Sequence, residues 1–310
     1  MIPLRLELVQ DPPKPEWLKI RPPHGEAFAE VKGTLRELGL NTVCESAHCP
    51  NLSECWSGGT ATFMVLGNVC TRGCRFCAVD KSAKGEKLDE QEPAKLAEAV
   101  KRWNLNYIVV TSVDRDDLPD QGAGHFAECI RELKKSNPNL IVEVLIPDFR
   151  GSEECIQTIV AAKPHVIAHN IETTEDLQGR VRDPRAGYWQ SIGVLQKVKG
   201  LDNTIFTKSA VMLGLGETKQ MVLKSFNDLR GVGCDFITIG QYMRPSKKHL
   251  PVRNYLPPDL FKYYEKKALE RGFKYAAAGP FIRSSYRAGE FFVRAMVEKR
   301  RGLESKKVGA

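Results

Sequence analysis

The chain has 310 residues, 42% of them hydrophobic, and its 46 Lys and Arg against 38 Asp and Glu give a formal net charge of +8. These values exclude a disordered chain and indicate a large packed core. No run of 18 apolar residues occurs and residues 1–17 do not resemble a secretory signal, so we expect a cytoplasmic protein with no membrane contact. Basic residues are not interleaved with aromatic ones on any predicted strand, so we expect no nucleic-acid partner.

The predicted elements change character along the chain. Residues 11–25 contain five prolines and are expected to lie extended, whereas residues 26–40 have the apolar spacing of a helix. Residues 41–59, rich in Cys, Asn, Ser and Gly, read as a loop. Apolar runs then alternate with helical patterns such as 93–103 and 221–233. The apolar runs span residues 60–67, 107–113, 140–148, 166–172, 204–214, 235–242 and 274–280.

Repeated strand–helix alternation predicts βαβ units and a parallel sheet. The runs are apolar on both faces, which is typical of strands covered by helices. A doubly wound sheet is the main alternative, but no G-x-G-x-x-G follows the first strand. We therefore predict an α/β fold, a partial (β/α)6 TIM-like barrel over residues 60–280. Residues 1–59 would form an N-terminal extension, and residues 281–310 a C-terminal segment with a basic tail.

Six of the nine cysteines lie within residues 44–77, which indicates metal binding. Cys70, Cys74 and Cys77 have C-x3-C-x2-C spacing at the C-terminal end of the first predicted strand, where α/β barrels carry active sites. A zinc site completed by a distant ligand is the alternative, although zinc more often uses paired C-x2-C knuckles. Three thiolates from one loop suit three corners of an iron–sulfur cube, which leaves one iron open to a non-protein ligand.

This loop resembles the hallmark of the radical S-adenosylmethionine (radical SAM) superfamily, C-x3-C-x-aromatic-C, with Phe76 as the aromatic residue. The resemblance implies that SAM binds the open iron of a 4Fe–4S cluster. Electron transfer from the cluster would then split SAM into methionine and a 5′-deoxyadenosyl radical, which can abstract hydrogen from unactivated C–H bonds.

A second cysteine set, Cys44, Cys49 and Cys55, has C-x4-C-x5-C spacing. His48 lies between two of these cysteines, but as a direct neighbour of Cys49 it is poorly placed to be a ligand. We expect it to lie at the surface or behind the ligands. The remaining three cysteines are expected to be small buried hydrophobic residues. They are Cys129, Cys155 and Cys234.

The second set and its flank, residues 49–56, closely resemble the lipoyl synthase family. The resemblance extends from about residue 40 to residue 290. Further matching segments are residues 114–124, 145–149, 168–173, 212–217, 241–246 and 278–290. Each segment alone is weak evidence of the resemblance. Together with two cysteine triads in this order, the segments are highly specific for the family.

The resemblance implies that Cys44, Cys49 and Cys55 hold an auxiliary 4Fe–4S cluster, which is consumed as the sulfur source. Its fourth ligand would be a serine of the RSSY segment, for which we choose Ser284, with Ser285 as the alternative. A helix N-cap is the simpler explanation of either serine. Some family members have His after this segment, where the chain has Arg287.

Several polar residues are candidates for binding SAM. Asn170 and Glu172 would point to the same side of one strand. Lys208 lies in an apolar strand, where it needs a carboxylate of the cofactor or of the protein. Gln241 and Arg244 close the sixth strand, and an internal ion pair or cap explains each candidate equally well. Residues 115–117 would bind SAM or the substrate, or organise their own loop, and residues 213–217 resemble a segment that contacts adenine in radical SAM proteins.

The implied enzyme is a sulfurtransferase that inserts two sulfur atoms, at C6 and C8 of an octanoyl chain amide-linked to a carrier-protein lysine. The implied partners are octanoylated lipoyl domains of 2-oxoacid dehydrogenases, the glycine-cleavage H protein, and an electron donor such as ferredoxin or flavodoxin. Two alternatives stay open. One is a methylthiotransferase, which usually carries a trailing RNA-binding module, and the other is a zinc-binding module that meets nucleic acid.

Overall fold

A computed structural model describes residues 10–19, 26–285 and 295–299. Every apolar run predicted from the sequence contains a strand. The strands in these ranges are β1 (Asn41–Thr42), β2 (Thr62–Val65), β3 (Val69–Cys70), β4 (Asp80–Lys81), β5 (Tyr107–Ser112), β6 (Ile141–Leu145), β7 (Val166–Ala168), β8 (Phe206–Leu213), β9 (Phe236–Gln241) and β10 (Tyr275–Gly279).

Helices connect the strands, and short 3-10 turns occur at Glu16–Leu18, Phe149–Gly151 and Glu175–Leu177. Side-chain caps fix three of the helix starts, because Thr42, Ser152 and Thr218 each accept a hydrogen bond from a backbone N–H of the first turn. The helices within residues 10–19 and 26–285 are α1 (Glu26–Leu38), α2 (Val43–Ser46), α3 (Leu52–Ser57), α4 (Glu92–Arg102), α5 (Ala123–Ser136), α6 (Glu153–Ala161), α7 (Gln178–Val181), α8 (Tyr188–Leu201), α9 (Lys219–Gly231) and α10 (Pro258–Leu269), and residues 295–299 are also helical.

The main sheet has the strand order β1-β2-β5-β6-β7-β8-β9-β10, and all neighbours are parallel except β1 and β2. From β2 onward each crossover adds its strand on the same side. A doubly wound sheet would instead reverse direction at a switch point. No pairing joins β10 back to β1 or β2 in the described ranges. The prediction of a partial barrel with six βα units is confirmed, and β10 follows as a seventh parallel strand.

An apolar layer closes the N-terminal end of the barrel. It consists of the first residue of each of five parallel strands, and Val297 from the C-terminal segment packs against it. The strand residues are Tyr107, Ile141, Val166, Phe206 and Phe236. Because this end is filled, a site within the barrel has to open at the C-terminal ends of the strands, as in other α/β barrels.

The structure tests the predictions about the isolated cysteines and about membrane spans. The three isolated cysteines, Cys129, Cys155 and Cys234, are buried as expected. No helix among the residues described is long and apolar enough to cross a membrane. Residues 20–25, Arg287 and the basic tail from residue 300 lie outside the described residues.

Candidate metal centre and active site

The cysteine loop leaves β2 through a turn with left-handed backbone. Leu66 has φ 72° and Gly67 has φ 90°. A left-handed leucine is strained, so this turn needs support from its surroundings. The N–H of Leu66 donates to Glu92 Oε2 at 3.0 Å, and its carbonyl accepts from Arg115 Nη1 at 3.1 Å. Glu92 and Arg115 therefore fix the backbone at the point where the cysteine loop leaves β2.

The first triad is half-buried, and each of its cysteines contacts a polar group. Cys70 Sγ lies 3.6 Å from Asp114 Oδ2, Cys74 Sγ accepts from the Asp183 N–H at 3.4 Å, and the Cys77 N–H donates to the Cys74 carbonyl at 3.3 Å. Burial raises the pKa of Cys70 to about 12 and that of Cys74 to about 11. Free thiolates are therefore disfavoured here, and a bound metal would have to supply the compensating positive charge.

Neither cysteine triad forms a compact three-ligand group in the described ranges. In the described ranges, the one group of three His, Cys, Asp or Glu ligand atoms within 4.8 Å of one another is Glu92, His125 and Cys129. A tetrahedral zinc ion would bring its thiolates to about 3.8 Å from one another. Neither cysteine triad is that tight, as expected when each thiolate binds a different iron of a cube.

A buried arginine holds the first loop between its first two cysteines. Arg72 Nε and Nη2 each donate to Asp116 at 2.9 Å, and Nη1 donates to Asp148 Oδ2 at 2.7 Å. Asp114 lies 3.3 Å from the same guanidinium. Burial lowers the pKa of Arg72, but the hydrogen bonds to these carboxylates more than offset it, and the net pKa is raised. Of the roles left open for residues 115–117, loop organisation is the one that the structure displays.

We expect Arg72→Met to destabilise the protein by about 3–5 kcal/mol, because it leaves the buried carboxylates of Asp116 and Asp148 without their partner. Urea unfolding of the metal-free protein measures this loss. The matched control is Arg131→Met, which removes a half-exposed ion pair with Glu128 and should leave the unfolding midpoint unchanged. Equal midpoints for the two variants would contradict the assigned role of Arg72.

Among the buried polar atoms that lack a hydrogen-bond partner in the described residues are Asn170 Oδ1 and Arg182 Nε, both at the barrel mouth beside the first triad. Asn170 Nδ2 donates to Glu172 Oε1 at 3.0 Å, and Glu172 has φ 63°. Burial raises the pKa of Glu172, whereas the positive charge of Arg182 lowers it. Glu172 acts electrostatically on Cys77, and Arg182 on Cys74. An acceptor and a donor beside a carboxylate fit a small zwitterionic ligand such as SAM.

Three other predicted cofactor contacts are engaged with the protein. Lys208 Nζ pairs with Glu143 Oε1 at 2.6 Å inside the barrel, and Tyr107 also donates to Glu143. Gln241 Nε2 donates to three backbone carbonyls and its Oε1 accepts from a backbone N–H. Arg244 binds the carbonyls of its own loop and lies 3.5 Å from Asp11. For these three residues the structure displays an internal contact, and cofactor binding stays a prediction.

Phe76, the aromatic residue of the first motif, packs against an apolar cluster at the mouth that includes Val181, Leu215 and Leu250. Its ring therefore braces the cysteine loop against the loops that follow α7, β8 and β9. This position next to Cys77 is compatible with cofactor contact, which stays a prediction.

The second triad lies on two short helices beside the barrel. Cys44 is in α2 and Cys55 in α3, with Cys49 on the turn between them, and the Cys49 N–H donates to the Cys44 carbonyl at 3.0 Å. Burial raises the pKa of Cys44 to about 11 and also raises that of Cys49. His48, with φ 50°, lies on the same turn. Free thiolates are therefore disfavoured at Cys44 and Cys49, as they are in the first triad.

The C-terminal segment is anchored against the second triad. Asn51 Nδ2 donates to the Phe281 carbonyl at 2.6 Å, across 230 residues of chain. Ile282 crosses directly over Gly240 of β9, where any side chain would overlap the Ile282 carbonyl. Arg283 is close enough to Cys49 that each affects the pKa of the other. The half-buried Ser284 and Ser285 follow at once. Nothing in the local sequence identifies Asn51 as the anchor.

A histidine that sequence reasoning missed lies against the first triad. His249 Nε2 lies 3.1 Å from the Cys77 carbonyl, and its Nδ1 lies 2.9 Å from Ser246 Oγ. Burial lowers the pKa of His249, and Lys81 and His48 lower it further. The loop after β9 thus contacts the first triad.

Comparison with known proteins agrees with this geometry. A family model described as the radical SAM superfamily matches residues 64–229, and one described as the N-terminal domain of lipoyl synthase matches residues 4–49. The Myxococcus xanthus protein named lipoyl synthase is 54% identical over 93% of this chain and 96% of its own length. The Sorghum bicolor protein named mitochondrial lipoyl synthase is 52% identical over 92% of this chain and 76% of its own length.

Solved structures agree on the fold at low sequence identity. Methylornithine synthase (PylB) has a TM-score of 0.51 at 10% identity and covers 84% of this chain and 85% of its own. The hydrogenase maturase HydG from Carboxydothermus hydrogenoformans has a TM-score of 0.53 at 12% identity and covers 88% of this chain and 78% of its own. The family matches favour neither a methylthiotransferase nor a zinc module. The chain belongs to the lipoyl synthase family of the radical SAM superfamily.

Proposed function

We propose that Cys70, Cys74 and Cys77 hold the 4Fe–4S cluster that binds SAM, and that Cys44, Cys49 and Cys55 hold the auxiliary cluster. Lipoyl synthases are radical SAM sulfur-inserting enzymes that use SAM and two 4Fe–4S clusters. When bound, these groups supply the 5′-deoxyadenosyl radical and the sulfur. The observation that carries the assignment is that the three cysteines of the first triad lie on the loop that leaves β2 at the barrel mouth, whereas the second triad lies on α2, α3 and the turn between them, with Arg283 of the C-terminal segment close to Cys49.

We assign SAM recognition to the polar groups at the barrel mouth. The unpaired Asn170 Oδ1 would accept from a donor of SAM, and the unpaired Arg182 Nε would donate to an oxygen. Glu172 would offer a carboxylate to a positively charged group of SAM. Filling these positions removes the cost of buried polar atoms without partners. Each group is held by protein contacts on its other side, so little reorganisation accompanies binding.

Ser284 is our choice for the fourth ligand of the auxiliary cluster, with Ser285 as the alternative. The anchor between Asn51 and the Phe281 carbonyl supports this choice because it ends three residues before Ser284. A serine oxygen is a poor match for a soft cluster iron. Weak binding suits a cluster that gives up its sulfur, because the iron held by oxygen can leave first.

The substrate that we propose is an octanoyl chain on a carrier-protein lysine, with sulfur inserted at C6 and C8 to give the lipoyl group. The carriers would be the lipoyl domains of 2-oxoacid dehydrogenases and the glycine-cleavage H protein, and the electron donor a ferredoxin or flavodoxin. We place the enzyme in the cytoplasm, because free thiols and iron–sulfur clusters need a reducing compartment.

We propose three functional regions. Residues 1–59 carry the auxiliary triad, residues 60–280 form the SAM-binding barrel, and residues 281–310 carry the serine ligand. Two contacts support a rigid connection between these regions. Asn41 and Thr42 pair antiparallel with β2, and Asp11 Oδ1 accepts from the Val252 N–H at 2.8 Å in the loop after β9.

The proposed function is tested with protein purified anaerobically and reconstituted with iron and sulfide. The protein is incubated with SAM, dithionite and a short octanoyl-lysine peptide, and the products are measured by mass spectrometry. We expect the peptide to gain two sulfur atoms while two SAM molecules are consumed per lipoyl group. Consumption of SAM with no sulfur in the peptide would overturn the assignment.

We expect Ser284→Cys to keep the auxiliary cluster but to slow sulfur insertion about tenfold or more, because a thiolate holds the departing iron more tightly than an oxygen ligand. Iron content and single-turnover product yield measure the two effects. Ser285→Cys is the matched control and should behave as the wild type. Normal turnover in Ser284→Cys would refute this role, and the reverse result for the pair would move the ligand to Ser285.

A further inference from the structure

The rim of the barrel mouth carries five cations, which we call the rim cations. They are Arg75, Lys81, Lys84, Lys247 and Lys248, and all five are exposed. Lys81 Nζ donates to the Cys77 carbonyl, and the Leu250 N–H donates to the Arg75 carbonyl at 3.2 Å. The segment around Lys84 runs beside the first triad, because the Ser82 N–H donates to the Cys70 carbonyl at 3.1 Å.

The rim cations lack carboxylate partners. None of the five forms an ion pair with a residue that the structure describes, whereas many cations elsewhere on the surface face a carboxylate. Two acidic residues share the segment. The Glu86 carboxylate accepts from the Asn68 N–H at 2.9 Å, and Glu86 and Asp80 are both exposed, so the five cations outnumber the acidic residues among them. Unpaired like charges repel one another, so this surface favours a negatively charged partner.

The loop that carries Lys247 and Lys248 is held in place. Arg244 donates to the carbonyls of Ser246, Lys247 and His249, and His249 is fixed against the Cys77 carbonyl. The two ammonium groups therefore project from a braced loop, which reduces the ordering cost of binding.

We propose that the rim cations are the docking surface for the acidic face of the octanoylated carrier protein. This inference rests on the proposed function. The octanoyl chain is tethered to its carrier, so the carrier has to dock where its lysine can enter the barrel mouth beside the first triad, and the rim cations lie on two segments at that mouth, the first cysteine loop with its continuation and the loop after β9. An electron donor transfers no atoms and is free to dock on another face. Charge complementarity at the rim accelerates association and sets orientation, and its effect decreases with salt.

The test compares two substrates, with dithionite as the electron source. The variant Lys247→Glu/Lys248→Glu is assayed with an octanoylated lipoyl domain and with an uncharged octanoyl-lysine peptide. We expect KM for the domain to rise about tenfold or more at low salt, while KM and kcat for the peptide stay unchanged. Added salt should raise the wild-type KM for the domain and should have less effect on the variant. The matched control is Lys262→Glu/Lys267→Glu, which makes the same charge change on α10.

Two outcomes of this test would overturn the docking proposal, and a third would refute the proposed function. A KM for the domain that is the same in the rim variant and in the α10 control would overturn the proposal. An unchanged KM for the domain, together with a slower rate when a protein donor replaces dithionite, would overturn it as well and assign the surface to the donor. Failure of the wild type to modify even the peptide would instead refute the proposed function itself.

Discussion

The variant in which Cys70, Cys74 and Cys77 are all alanine is expected to keep about half of the wild-type iron and sulfide and to lose reductive SAM cleavage entirely. The cysteines of the second triad lie on α2, α3 and the turn between them, whereas those of the first triad lie on the loop that leaves β2. Removing one set of thiolates should therefore leave the other set able to hold its cluster.

This experiment distinguishes a protein with two independent clusters from a protein with one shared cluster. Iron, sulfide and zinc are measured after anaerobic purification, and SAM cleavage is measured with dithionite. The reciprocal variant, with Cys44, Cys49 and Cys55 replaced by alanine, is the control and should cleave SAM without inserting sulfur. Zinc in place of iron in the wild type, or complete loss of iron in the first variant, would contradict the assignment of two separate triads.

Gly240→Ala is expected to lower the occupancy of the auxiliary cluster while leaving the first cluster intact. An alanine Cβ at Gly240 would lie far inside van der Waals contact with the Ile282 carbonyl oxygen and 3.2 Å from Arg283 Nη1. Because the obstacle is backbone, the segment before Ser284 has to lift away. Overpacking of this kind costs about 1–3 kcal/mol. A glycine in a strand often marks such a close approach of two backbones.

The matched control is Gly193→Ala in α8, where an added Cβ meets nothing within 4 Å. Alanine is preferred over glycine in a helix by about 1 kcal/mol, so this control should be as stable as the wild type or more stable. Iron content, sulfur insertion and urea unfolding are compared for both variants. Full auxiliary-cluster occupancy and normal sulfur insertion in Gly240→Ala would contradict this prediction. They would show that the auxiliary cluster does not depend on the close packing of Ile282 against Gly240.

The alternation of apolar runs and helical patterns was sufficient to predict the barrel. Strands that are buried on both faces are apolar throughout, and the helices between them have one apolar face, so both leave a local pattern. The cysteine spacings likewise lie within single loops, and the segments that resemble lipoyl synthases are read directly along the chain. These features depend on residues close in sequence, which is why they needed no coordinates.

The partners of charged residues depended on tertiary structure. Lys208 was left with two possible partners, and only the neighbouring strands showed that Glu143 meets it inside the barrel. Arg72 gave no signal, because Asp148, one of its partners, lies 76 residues away. The same holds for Asn51, which reaches Phe281 across 230 residues. Sequence patterns report periodicity and local spacing, whereas a contact between distant residues exists only once the strands, helices and loops have packed.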